Sequence, residues 1–155
     1  YEGLVRVPLI FSWPGQIKTN LQSDALVELM DIAPTLLDAA TIAKPSHMQG
    51  QSLWPLLTGK TDPRFHKPFV RSEYFDALKE NNGTRATMYR DDRYKLVVYH
   101  GHDLGELYDL NVDPEEFNDL WDDPNASDVK NRLIHQSFDA TMLAQDLGPP
   151  RIGPM

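Results

Sequence analysis

Apolar positions crowd the start of the chain. Val5, Val7, Leu9, Phe11 and Trp13 fall on one face at period two, and Ile10 makes the opposite face partly apolar. The pattern predicts a strand over 5–13 of the kind that lies inside a sheet covered on both sides. Pro14-Gly15 ends it. The next fifty residues offer no sheet partners, so the pattern reads as the tail of a larger protein. Residues 25–30 are short and apolar, suiting a strand or a first helical turn. Asp31 is then placed to cap a helix over 32–41, with Pro34 in its first turn and Leu36, Leu37, Ala39 and Ala40 at helical spacing. Lys44-Pro45-Ser46 stops that helix, and Leu53, Trp54, Leu56 and Leu57 form an apolar turn closed by Gly59.

From Pro68 the period changes. Four strand-like runs, 69–75, 84–90, 93–100 and 106–110, follow one another through short links. Ala86 and Met88 mark one face of the second run; Tyr94, Leu96 and Val98 alternate in the third, across a tight Asp91-Asp92 turn. The pattern predicts an antiparallel meander. Residues 113–128 are acidic and read as a solvated face. Ser127 can cap a final helix over 128–146, with Val129, Leu133, Ala140, Leu143 and Leu147 along one face, widened by Ile134, Phe138 and Met142. That helix is expected to cover the meander, with Gly148-Pro149-Pro150 stopping it.

The predicted class is α+β: a small four-stranded antiparallel sheet covered by a C-terminal helix, with an N-terminal strand and helix that belong to a larger core. The division falls near residue 60, giving a strand, helix and proline-rich loop in 1–60 and the sheet subdomain in 61–155.

Composition narrows the chemistry. The chain has 155 residues and a net charge of −8, with no Lys/Arg block, which argues against nucleic acid and anionic membranes as partners. No run approaches the ~20 apolar residues of a membrane span. There is no cysteine, hence no disulfide, thiolate metal site or Cys nucleophile within these residues. Asn82-Gly83-Thr84 and Asn125-Ala126-Ser127 fit the N-glycosylation pattern, which matters only in a secretory, eukaryotic setting. His100-Gly101-His102-Asp103 is the densest reactive cluster. Histidines at i and i+2 can ligate a metal, but no third ligand is indicated, and a polar loop beside a pocket suits them better. Arg71, Glu73 and Tyr74 read as a strand-end salt bridge. His47, His66 and His135 stand alone. Spacing assembles no catalytic set and no metal site.

Several segments, in order, resemble the C-terminal portion of the sulfatase family: Tyr1-Glu2-Gly3-Leu4-Val5-Arg6-Val7-Pro8-Leu9-Ile10 with Trp13-Pro14-Gly15; Asp31-Ile32-Ala33-Pro34-Thr35-Leu36-Leu37-Asp38; Met48-Gln49-Gly50-Gln51-Ser52-Leu53; Arg93-Tyr94-Lys95-Leu96; and Glu106-Leu107-Tyr108-Asp109-Leu110 with Asp113-Pro114. Leu4 stands where that family has a second glycine. The resemblance implies an alkaline-phosphatase-like α/β parent that hydrolyses sulfate esters with a formylglycine nucleophile and a calcium ion, both held upstream. None of those catalytic residues maps here, so the chain by itself is expected to be inactive and to depend on an N-terminal catalytic domain. The implied substrate is a sulfated small molecule or carbohydrate, and periplasmic, secreted or lysosomal settings are compatible with it. His100 and His102 become the residues expected to face the substrate pocket. The alternatives are an autonomous accessory or oligomerisation module, or the tail of a phosphatase or phosphonate-ester hydrolase of the same superfamily.

Overall fold

A computed structural model describes residues 1–76 and 83–145. Four strands, β1 (Val70–Phe75), β2 (Arg85–Arg90), β3 (Tyr94–Tyr99) and β4 (Leu104–Asp109), form an antiparallel sheet in chain order. Each lies within about two residues of its predicted run. Asp91 makes the β2–β3 turn by accepting the N–H groups of Arg93 and Tyr94 at 2.9 and 2.6 Å.

The register sorts the side chains into two faces. Tyr89 stands opposite Leu96, and Leu96 opposite Leu107. This face meets α4 (Ser127–Leu143), whose Leu133 and Ala140 complete a buried cluster with Tyr89, Leu96 and Leu107. Ala86 and Met88 lie on the other face, beside Tyr99 and Val97. The helix thus covers the sheet as expected, through a narrower stripe than the pattern suggested. Ser137 is buried between Leu133 and Ala140, whereas Phe138 is 64% and Leu143 86% exposed. Leu147 and the Gly148-Pro149-Pro150 stop lie outside the described residues, as does Asn82 of the first glycosylation triplet. The start of α4 also differs from expectation. Ser127 is already helical, and Asp123 caps the preceding 3₁₀ turn, Pro124–Ala126, by accepting the Asn125 N–H at 2.9 Å.

The front of the chain departs most from its pattern. Residues 5–13 form no strand: α1 (Glu2–Val5) is a single helical turn, and 6–13 has no secondary structure. A strand exists through its ladder, and no described strand runs beside this segment. Its apolar side chains are left outside, with Leu4 77% and Ile10 85% exposed. The helix expected over 32–41 is α2 (Ile32–Ala39), and the apolar turn is α3 (Trp54–Leu57). Trp54 packs against Trp13 with ring centroids 5.7 Å apart.

The outer edge of β4 is occupied. Leu107 donates its N–H to Asp119 at 2.9 Å and accepts from the Leu120 N–H at 2.8 Å. The Trp121 ring lies against Gly105, where a Cβ would come within 2.2 Å of it. Among the described residues no helix is long and apolar enough to cross a membrane.

Candidate functional site

The β3–β4 hairpin carries both sequence-nominated residues at its tip. His100 donates its backbone N–H to the Arg85 carbonyl at 2.8 Å, and its Nε2 lies 3.0 Å from Thr87 Oγ1. Thr87 stands opposite Val98, so this contact is on the face that α4 covers. His102 donates its N–H to the Tyr99 carbonyl at 3.2 Å across Gly101, whose φ of 84° the turn requires. Both histidines are exposed. Among the described residues no three His, Cys, Asp or Glu side chains converge to hold a metal ion.

A cleft of about 410 Å³ opens on the opposite face of the same hairpin, lined chiefly by Tyr1, Tyr99, Glu106, Tyr108, Phe117 and Asp119. Neither histidine lines it. Glu106 organises its floor, one carboxylate oxygen accepting from the Tyr99 hydroxyl at 2.7 Å and the other from Tyr108 at 3.0 Å. The bond to Glu106 and partial burial push the Tyr99 pKa up to about 12. Burial, then the same carboxylate, raises that of Tyr108. Both phenols therefore stay protonated, as donors, across the neutral range. Tyr1 tilts against Tyr108 at 6.3 Å. Asp119 is taken up by the N–H groups of Leu107 and Trp121, each at 2.9 Å.

Two buried polar networks tie this surface to the rest of the chain. Lys95, 1% exposed, reaches Glu116 at 2.7 Å and Glu2 at 3.3 Å; Arg90 stands 3.4 Å from Glu2. The Glu2 N–H also donates to Glu116, so α1 is held through its main chain as well as its side chain. Asp113 accepts the N–H groups of Phe117 and Asn118 at 3.1 and 2.8 Å, beside Glu116 in its left-handed conformation at φ 60°. Asp113 and Glu116 are thus buried and engaged, and the expected solvated acidic face is only partly that.

In the second network Asp31 is fully buried. It does not cap α2 through its side chain. Its carboxylate accepts from the N–H groups of Glu28 at 2.9 Å and Gln51 at 2.8 Å, and from Lys67 Nζ at 2.8 Å. Lys67 also reaches Glu28 at 2.7 Å. Gly50 makes this approach possible, because a Cβ there would stand 2.0 Å from the Met30 carbonyl oxygen. Thr35 accepts the Leu53 N–H at 2.8 Å.

Lys95, Glu116 and Lys67 had no signal in spacing. Their ion-pair partners lie between 21 and 93 positions away, and only a tertiary fold brings them together. The segments Tyr1–Gly3 and Arg93–Leu96 meet through Glu2 and Lys95, and those around Asp31 and Gln51 through one hydrogen bond. Arg93 grips Asp109 with bonds of 2.6–3.1 Å, joining the fourth motif to the fifth.

A family model described as N-sulphoglucosamine sulphohydrolase, C-terminal, matches residues 1–142. Arylsulfatase K of Rattus norvegicus is 37% identical over 127 residues, covering 77% of this chain and 22% of the relative. An N-acetylglucosamine-6-O-sulfatase of Bacteroides thetaiotaomicron is 36% identical over 124 residues, covering 78% of this chain and 22% of its own length. Among solved structures, a protein in complex with its substrate D-glucosamine-2-N,6-O-disulfate superposes with a TM-score of 0.75 at 26% identity, over 88% of this chain and 28% of that one. A phosphonate monoester hydrolase from Silicibacter pomeroyi gives 0.73 at 26% identity, over 86% and 28%. The chain spans between 22% and 28% of the length of these proteins. With a family model across most of its length and a relative 37% identical over 77% of it, the chain belongs to the sulfatase family and corresponds to its C-terminal portion.

Proposed function

We propose that this chain completes an enzyme that hydrolyses sulfate esters of carbohydrates. Its first segment, 4–13, finishes the core of a larger α/β domain, and its β3–β4 hairpin walls the substrate pocket, with His100 and His102 toward the leaving-group side. The observation that carries this reading is the apolar strip left uncovered on a chain that matches only 22% of its relatives' length: Leu4, Val7 and Ile10 are 77%, 56% and 85% exposed. Apolar side chains left uncovered side by side are a common feature of interaction surfaces. The carbohydrate substrate is suggested by the names of the Bacteroides relative and of the glucosamine disulfate complex.

The family's calcium and formylglycine do not fit onto the residues present. No described acidic or histidine cluster could cage a cation, and no cysteine or serine stands in the C/S-x-P-x-R motif that the conversion requires. No chemical step is therefore placed on this chain, whose contribution is shape and anchorage. The test is turnover of an aryl sulfate by the protein purified from its native source, followed by the same assay with His100→Ala and His102→Ala combined. Hydrolysis is expected, with kcat/KM on a carbohydrate sulfate reduced in the double variant. An unchanged kcat/KM would remove the histidines from the pocket wall.

A second reading, phosphonate-ester hydrolysis, has the near-equal TM-score of the Silicibacter enzyme in its favour. An aryl phosphonate monoester turned over faster than the aryl sulfate would decide for it. A soluble, monodisperse 17.7 kDa protein from the native source would instead indicate an autonomous module.

A further inference from the structure

We propose that Arg90, Lys95 and Glu116 form a socket for the Glu2 carboxylate, and that Glu2, seated there, positions the β3–β4 hairpin against the catalytic part of the longer protein. Charge balance points to the socket. Arg90 stands opposite Lys95 across β2 and β3, so two cations lie side by side on the sheet face away from α4. The Lys95 side chain is 1% exposed and that of Arg90 19%. Glu116 meets Lys95 at 2.7 Å and supplies one negative charge. A second carboxylate is needed, because an uncompensated buried cation is costly. Glu2 brings it from 93 positions ahead of Lys95, with one oxygen 3.3 Å from Lys95 Nζ and 3.4 Å from Arg90 Nε.

The socket is built by the sheet and the loop after it. Glu116 holds its left-handed φ of 60°, with Asp113 accepting the N–H groups of Phe117 and Asn118 just beyond. Arg90 Nε is buried without a hydrogen bond, and the ion pair with Glu2 answers its charge. The Glu2 N–H donates to Glu116, so the main chain is fixed there together with the side chain. On the function proposed above, catalytic residues lie ahead of Glu2 and the hairpin walls the leaving-group side of the pocket; the positioning role rests on that reading, whereas the socket does not. Lys95 belongs to β3 of that hairpin, so its ion pair with Glu2 joins the two directly. Loosening the joint moves the wall, which a large leaving group feels more than a small one.

Kinetics and melting of the protein as its native source produces it test this. Glu2→Gln, which keeps the shape and removes the charge, should raise KM for 4-methylumbelliferyl sulfate about fivefold. KM for the smaller 4-nitrophenyl sulfate should change by less than about twofold. A mere loss of folded protein lowers turnover of both esters alike and leaves both KM values where they were. Arg90→Gln should act as Glu2→Gln does, and Arg90→Lys, which keeps the charge, should hold wild-type values. With both Glu2→Gln and Arg90→Gln, the melting temperature should be no lower than with Glu2→Gln by itself, since the second change removes a cation already stranded. Melting losses that add, or KM values that stay put or rise together for both esters, would overturn the proposal. Wild-type protein that turns over neither ester would sink the sulfatase reading, and the melting comparison then decides whether Glu2 fills the socket.

Discussion

At the scale of single residues, the chain keeps its charges in two places where water cannot serve them. Lys95 and Glu116 have side chains only 1% and 2% exposed; Glu116 pairs with Lys95, which also reaches Glu2. Replacing one member of such a pair strands its partner, which costs far more than the pair contributes over an apolar substitute. Lys95→Met should therefore lower unfolding free energy by about 3–5 kcal/mol in urea titration. Adding Glu116→Gln should recover part of the loss. His66 illustrates the opposite case. Its Nε2 is buried 3.5 Å from Asp31 without a hydrogen bond. Burial outweighs the Asp31 charge and pushes its pKa below the usual value of 6.5. The unfolded chain then binds the proton more readily than the folded one, so stability is whole above about pH 6.5 and declines as the pH falls below it. Substituting His66→Gln should flatten that part of a stability-against-pH curve. A slope that persists would locate the titration elsewhere.

At the scale of elements, ends are set by groups that hydrophobic periodicity does not register. The C-terminus of α2 closes with the Ile42 N–H on the Leu37 carbonyl at 2.8 Å and the Thr41 N–H on Asp38 at 3.0 Å. That pairing places Thr41 at φ 59°, a conformation costly for a β-branched residue. Thr41→Gly should stabilise the protein by about 0.5–1 kcal/mol, read as a higher melting temperature. The strands were legible because alternation and the Asp91 turn act locally. The stripe on α4 was legible in direction but not in width. Leu143 and Phe138 share the helix with Leu133, and only the limited area of a four-stranded sheet decides which of them is covered.

At the scale of the whole molecule, the front segment is the test of what this portion belongs to. Ile10→Asp, at a side chain 85% exposed here, should change the stability of the 155-residue chain by no more than about 0.5 kcal/mol and reduce its self-association in sedimentation. In the longer protein the same change should destabilise by several times that amount, since it would bury a carboxylate. Equal tolerance in both would end the idea that 4–13 completes a core. The apolar character of that segment, the meander, the covering helix and the family's motif segments were all written in the sequence, because each depends on neighbours within a few positions. The absence of a ladder at 5–13, the engagement of Lys95 and Asp31, and the cleft on the flank of the hairpin that His100 and His102 do not line were decided by tertiary structure. Hydrogen bonds and ion pairs between residues tens of positions apart have no period, and the chain must fold before distance can select them.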